Sequence, residues 1–217
     1  MRKRCAILEA AVEEFLANGF QSTSMDRVAE RANVSKRTIY NHFENKEALF
    51  QAITEELVHE LVHVTDVPYD PDQDLRAQLE EIARRKVELM TCPGFVSLAR
   101  VTMAEHLRAP DLATDTYSKI HEGEDGLRRW IRAAVRDGRL AVPDPRVASE
   151  QFSALLSAFA FWPTVLGSRP TPDRRQSEKI IADAVAMFLD HYGLDRCERA
   201  PGPSAGALAD PPALERL

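Results

Sequence analysis

The 217-residue chain has no long apolar run, no paired cysteines and no excess of basic charge. A membrane-spanning helix needs roughly 18 or more apolar residues in a row, and no stretch comes near that. The basic start Met1-Arg-Lys-Arg imitates the head of a signal peptide. Glu9, Glu13 and Glu14 interrupt the apolar run that would have to follow. Cys5, Cys92 and Cys197 stand far apart, so neither a disulfide framework nor a cysteine metal site is expected. A soluble protein of a reducing, cytoplasmic compartment is expected, with no membrane partner. Glycine-rich phosphate loops and Ser/His/Asp groupings are missing as well. Glu105-His106 and His121-Glu122 are lone pairs without a matching nucleophile. Catalysis therefore has no support here, and no cofactor is expected.

The formal net charge is −6, the opposite of what a nucleic-acid binder usually carries. The charge is unevenly spread. Residues 1–50 hold eight Lys/Arg against seven Asp/Glu, a net of +1, and the remainder holds 20 against 27, a net of −7. Arg2, Lys3, Arg4, Lys36, Arg37 and Lys46 could gather on one side, with Glu13 and Glu14 pointing elsewhere. Mixed charge on a helical protein is otherwise just a solvated face.

What is present is helical period. Leu8, Ala11, Val12 and Phe15 form the stripe of a first helix over about residues 3–18, with Gly19 as its stop. Thr23 or Ser24 then offers a cap, and Met25, Val28, Ala29 and Ala32 make one apolar face. Asn33 is suited to the left-handed conformation that ends a helix. Ser35 caps a short second helix in which Ile39 and Phe43 face inward with Val34. Lys36, Arg37, Thr38, Tyr40, Asn41 and His42 surround its open side. Two short helices about a tight turn, the second with a polar outer surface, make a helix-turn-helix.

Arg2 to Leu49 resembles the N-terminal domain of the TetR/AcrR family of bacterial transcriptional regulators. The resemblance rests on Ile7-Leu-Glu-Ala-Ala, Phe15, Asn18-Gly-Phe20, Thr23-Ser-Met, Val28-Ala-Glu-Arg-Ala, Val34-Ser, Thr38-Ile-Tyr-Asn-His-Phe and Asn45-Lys-Glu-Ala-Leu. Asn33 departs from the glycine more usual there. The resemblance implies an all-α protein: an N-terminal three-helix helix-turn-helix domain and a larger C-terminal helical domain for ligand binding and dimerisation. The expected domains are residues 1–48 and 49–195, with a disordered Pro/Ala/Gly-rich tail at 196–217. It implies a homodimeric repressor of a palindromic double-stranded DNA operator, released by a small-molecule effector. Lys36, Arg37 and Asn41 are the expected base-edge contacts, and Ser24, Thr38, Tyr40, His42 and Lys46 the expected phosphate contacts.

Beyond the reader, helices are expected at about 45–64, 74–91, 94–107, 111–137, 146–167 and 173–192, with Pro163 bending the fifth of these. Phe152, Leu155, Leu156, Phe159, Trp162 and Leu166 form a wide stripe on that helix. Ile180, Ile181, Ala184, Val185, Met187 and Phe188 form two adjacent stripes on the last. Such helices are either interior helices of one domain or, as the resemblance implies, half of a four-helix bundle shared with a second copy. By the same resemblance an effector pocket lies among the middle helices, with Phe95, Met103, Tyr117, Trp130, Phe159 and Trp162 as candidate lining residues that could equally be ordinary core.

One motif points elsewhere. His59-Glu-Leu-Val-His63 matches H-E-x-x-H on a helix, the spacing of a zinc peptidase whose Glu60 would be the general base. No glycine-containing extension with a third histidine follows, so a third ligand would have to come from Glu80 or Glu81, which an acidic helix offers by chance. The readings left open are a metal-responsive regulator using His59 and His63, a peptidase, and a DNA-binding dimer with no small effector.

Overall fold

The computed structural model describes residues 2–110, 114, 116 and 126–194. α1 runs Arg2–Asn18 and buries the expected Leu8, Ala11, Val12 and Phe15. It ends at Gly19, whose φ is 78°. α2 is Met25–Arg31, and Ser24 is its cap, accepting from the Arg27 N–H at 3.3 Å. Thr23 faces the other way, its buried hydroxyl shared between the carbonyls of Glu14 and Gly19 at 3.2 and 2.9 Å. Asn33 takes a φ of 51°, and the Val34 N–H returns to the Ala29 carbonyl at 3.0 Å. The side-chain amide therefore serves where glycine is usual, as its tolerance of this conformation allows. α3 is Lys36–His42, with Ser35 accepting from the Thr38 N–H at 3.1 Å. α4, Lys46–His63, starts on Asn45, which accepts from Ala48 at 2.7 Å.

Ile7, Phe15, Val28, Ile39, Phe43, Leu49 and Ile53 share one core, so the first half of α4 is part of the reader's interior. Val101, from a later helix, is buried in the same core.

The remaining helices are α5 (Leu75–Thr91), α6 (Pro93–His106), α7 (Gly126–Arg136), α8 (Pro145–Leu166) and α9 (Arg174–Tyr192). Of the helix expected at 111–137, Gly126–Arg136 is described; most of its first part lies outside the described residues. α5, α8 and α9 pack on one another and α7 packs on α8, around Leu79, Ile82, Leu127, Trp130, Phe152, Leu156, Val185 and Phe188. Pro163 falls in the last turn of α8, where its missing N–H removes one intrahelical bond, the one to the Phe159 carbonyl. An antiparallel bridge, Leu140 to Gly193, ties the turn after α7 to the end of α9.

Two features join reader to body. α6 packs against α1, α4, α5 and α8, and a small core of Leu57, Phe95, Val96, Ala99 and Val165 fills the joint. At the far end of α4, the start of α7 presses on the chain so closely that a Cβ at Gly126 would lie 2.1 Å from the Thr65 carbonyl oxygen. Only glycine fits that approach. The Leu127 N–H donates to the buried Thr65 hydroxyl at 3.2 Å, and Arg129 pairs with Asp66 at 2.7 Å.

Candidate nucleic-acid interface

α3 is seven residues long, and its inward anchor is Ile39, fully buried, followed by Phe43 just past its end. Two inward residues one turn apart force the rest of so short a helix outward. Lys36, Arg37, Tyr40, Asn41 and His42 are exposed, and Thr38 is half-buried with its hydroxyl 2.8 Å from that of Ser35. Tyr40 is 51% exposed, far more than a tyrosine with only a packing role would be. Ser24 is exposed at the start of α2. Lys46 is half-buried; its ammonium donates to the Gln21 carbonyl at 3.1 Å and lies 4.5 Å from the centre of the Phe20 ring. All eight residues expected to contact DNA thus lie on α3 or at the helix starts beside it. Arg4 stacks over Phe43 at 5.6 Å, bringing a further cation to the end of α3.

Two carboxylates behave in ways the sequence did not disclose. Glu14 is turned inward to α2 rather than to the cations of the open face. It is 3% exposed and accepts from Arg31 at 2.7 Å and Asn18 at 2.8 Å, with Arg27 at 3.4 Å. Arg27 and Arg31 are i and i+4 on α2, so one buried carboxylate on α1 grips both. Arg31 also reaches Glu13 at 3.0 Å, and its guanidinium is pushed above its ordinary range by the hydrogen bonds to Glu14 and Glu13. Asp26, in the first turn of α2, accepts from Lys36 at 2.6 Å, and this hydrogen bond raises the Lys36 pKa. The only available signal was the charge alternation of α2, which fits a solvated helix equally well.

The expected effector residues scatter. Phe95 is buried in the joint core with Met103 packed beside it. Trp130 belongs to the body core, 1% exposed, its indole N–H donating to Gln78 at 3.2 Å. Phe159 and Trp162 are 59% and 45% exposed on the outer side of α8. Tyr117 lies outside the described residues. A cavity of about 330 Å³ lies instead along α4, lined by Gln51, Glu55, Val58, His59, Val62 and His63, with buried Thr116 opposite. The His59 and His63 rings stand 4.5 Å apart. Among the described residues no group of three or more His, Cys, Asp or Glu gathers in a metal-binding arrangement. Nor is any described helix long and apolar enough to cross a membrane.

An exposed polar helix held on a buried two-residue anchor, beside a larger helical body, defines a helix-turn-helix DNA-binding regulator. The chain belongs to the TetR family of bacterial regulatory proteins: residues 7–53 match that family's N-terminal model, and residues 77–194 match the C-terminal domain of AefR-like transcriptional repressors. It is 38% identical over 164 residues to the repressor SCO4008 of Streptomyces coelicolor, covering 75% of this chain and 79% of that one. It is 33% identical over 138 residues to the regulator YhgD of Bacillus subtilis, spanning 66% of that protein's length. A TetR-family regulator from Pseudomonas syringae pv. tomato has a solved structure that matches with a TM-score of 0.80. It is 39% identical, with 90% of this chain and 98% of that one covered. The flavonoid-responsive regulator FrrA matches with a TM-score of 0.66 at 29% identity, with 88% and 97% covered. The peptidase and metal-sensor readings of His59-Glu-Leu-Val-His63 find no support among these relatives.

Proposed function

We propose that this TetR-family regulator is a homodimeric repressor that sits on a palindromic operator and leaves it when a small molecule binds. The observation that carries the reading is the exposed face of α3 over a fully buried Ile39. Lys36, Arg37 and Asn41 read base edges in the major groove. Ser24, Thr38, Tyr40, His42 and Lys46 hold phosphates. Residues 1–48 bind DNA and 49–195 dimerise and take the effector, in the cytoplasm and with no catalytic step.

Dimerisation is supported by what α8 and α9 leave uncovered. Phe159, Trp162 and Leu166 fall at i, i+3 and i+7 of α8 and are exposed by 59%, 45% and 69%, with Met187 of α9 at 58%. Three large side chains in one row are unlike a solvated face, and a second copy of the same helix pair would cover them. Two readers on a two-fold axis then engage half-sites about 34–36 Å apart, or a multiple of one DNA turn.

The effector site is the cavity along α4, because α4 runs from Lys46 beside the reader to His63 at the body. A ligand acts only through different affinities for the DNA-competent and incompetent arrangements, and a coupling of about 1–3 kcal/mol weakens operator binding some 5- to 150-fold. The name of FrrA supports a small organic effector over a metal.

Selection of bound duplexes from a random pool tests this reading. The expected product is a palindrome of two half-sites; enrichment of a single unpaired site, or of nothing, contradicts it. With that operator and a releasing compound in hand, Val62→Trp should obstruct the cavity, abolish release and leave operator affinity within about twofold. Release as in the unaltered protein places the effector elsewhere.

A further inference from the structure

The end of α8 is not a free helix terminus. Helix C-termini leave their last carbonyls without intrahelical partners and carry a partial negative charge. Gly167, with a φ of 66°, and Ser168 turn back to the Thr164 and Pro163 carbonyls at 3.2 and 3.0 Å. The cap is completed from another helix. Arg100 of α6 donates from Nε to the Val165 carbonyl at 2.8 Å and from Nη2 to the Thr164 carbonyl at 3.0 Å. A guanidinium fixes the direction of both bonds at once, which a point-charge ammonium cannot do.

The neighbours of Arg100 give this fork its consequence. Ala99 packs with Val165 in the joint core. Val101 is buried in the reader's core, and Leu98 packs against both. Arg100 also lines a gap of about 200 Å³ shared with Phe15, Leu16 and Phe20 of the reader. One turn of α6 is therefore bolted to the end of α8 on one side and inserted into the reader on the other. That end of α8 also carries Trp162 and Leu166 on its uncovered face.

We infer that Arg100 is a positioning residue: its guanidinium fork on the end of α8 sets where the reader stands relative to the dimer's two-fold axis, and so which half-site spacing the protein accepts. The inference rests on the reading of α8 and α9 as the face that meets a second copy.

The test uses the full chain, the operator chosen by selection, the same operator with one or two base pairs inserted at its centre, and a duplex holding one half-site. Arg100→Met keeps the apolar stem and removes the fork; Arg100→Lys keeps the charge without it. Both variants are expected to stay dimeric, to melt as cooperatively as the unaltered protein and to bind the half-site duplex equally well. Both should bind the operator about tenfold more weakly, as loss of charge-assisted bonds implies, and should no longer discriminate against the lengthened operators. Unchanged operator affinity and spacing preference in Arg100→Met overturns the inference. So does recovery of the preference in Arg100→Lys, because charge alone would then suffice. Monomeric variants overturn it too, by showing that Arg100 supports the dimer face itself. If the unaltered protein is a monomer or ignores spacing, the dimer reading fails first and this inference with it.

Discussion

The reader and the body bury their apolar residues by the same rules and leave opposite chemistry uncovered. α2 and α3, seven residues each, depend on Ser24 and Ser35 to begin and on Asn33 for the turn between them. Their open side is polar: Arg37, Tyr40 and Asn41. α8 and α9 are 22 and 19 residues long, close on Phe152, Leu156, Val185 and Phe188, and leave Phe159, Trp162, Leu166 and Met187 outside. Polar groups on a rigid short helix suit a hydrated, charged partner such as DNA. An apolar row suits a partner that excludes water. The same chain thus advertises two kinds of partner at its two ends, and α6, which touches both, sets how they stand to each other.

The contrast can be broken most severely at the apolar face. Phe159→Asp combined with Met187→Glu should leave the body folded, because neither side chain belongs to its buried core. The charges should block pairing. Light scattering should report a monomer, and operator affinity should fall by at least about a hundredfold as the gain from two linked readers disappears. A stable dimer with normal affinity would mean the copies meet elsewhere.

Within the reader, Glu14→Ala removes the buried carboxylate that holds Asn18, Arg27 and Arg31. A loss of about 2 kcal/mol in thermal unfolding is expected from the charge-assisted hydrogen bonds that Glu14 alone accepts, because Arg27 and Arg31 are about half exposed and stay hydrated. A loss below about 1 kcal/mol would show that water already screens the arginines.

A smaller effect sharpens the electrostatics of α3. Asp26→Asn frees Lys36 from its 2.6 Å partner. On non-specific duplexes, where Lys36 has no matching base edge and meets phosphate instead, affinity should rise a few-fold and the slope of log K against log salt should steepen by about one phosphate contact. An unchanged slope would show that Lys36 already contacts DNA fully with Asp26 in place.

The slightest expected effect is a pH dependence. Burial lowers the pKa of His106, whose ring lies 3.2 Å from the Thr116 hydroxyl and edge-on to Phe50. The unfolded imidazole takes its proton near the ordinary value of about 6.5, and the folded one at a lower pH. Between the two the unfolded state binds more protons, so stability falls as pH drops through about 6.5. His106→Gln should flatten that part of the profile; an equal slope in the variant would assign it to other groups.

Much of the reader could be read directly because its signals are local. A hydroxyl before a helix and an amide at a turn act on backbone within a few residues, so Ser24, Ser35, Asn33 and Asn45 all stand in the roles their positions imply. Thr23 and Glu14 were not legible, since each meets a partner on another element. The body shows a different limit. A stripe at helical spacing says that a face is apolar and nothing of what covers it. Phe188 and Met187 are adjacent in sequence, yet one closes the core at 5.2 Å from Phe152 and the other is 58% exposed. Trp130 and Trp162 looked alike as pocket residues, and one is core while the other is on the outer face.

The central claim is that α3 reads DNA sequence, and it can be tested in one titration. The variant carrying Arg37→Ala and Tyr40→Ala, both exposed and remote from Ile39 and Phe43, is titrated against the selected operator and a scrambled duplex of equal length at fixed salt. Helicity and dimer mass should be unchanged, while affinity for the operator drops to that for the scrambled duplex, a loss on the order of a thousandfold or more. A variant that still prefers the operator as strongly as the unaltered protein would contradict the account.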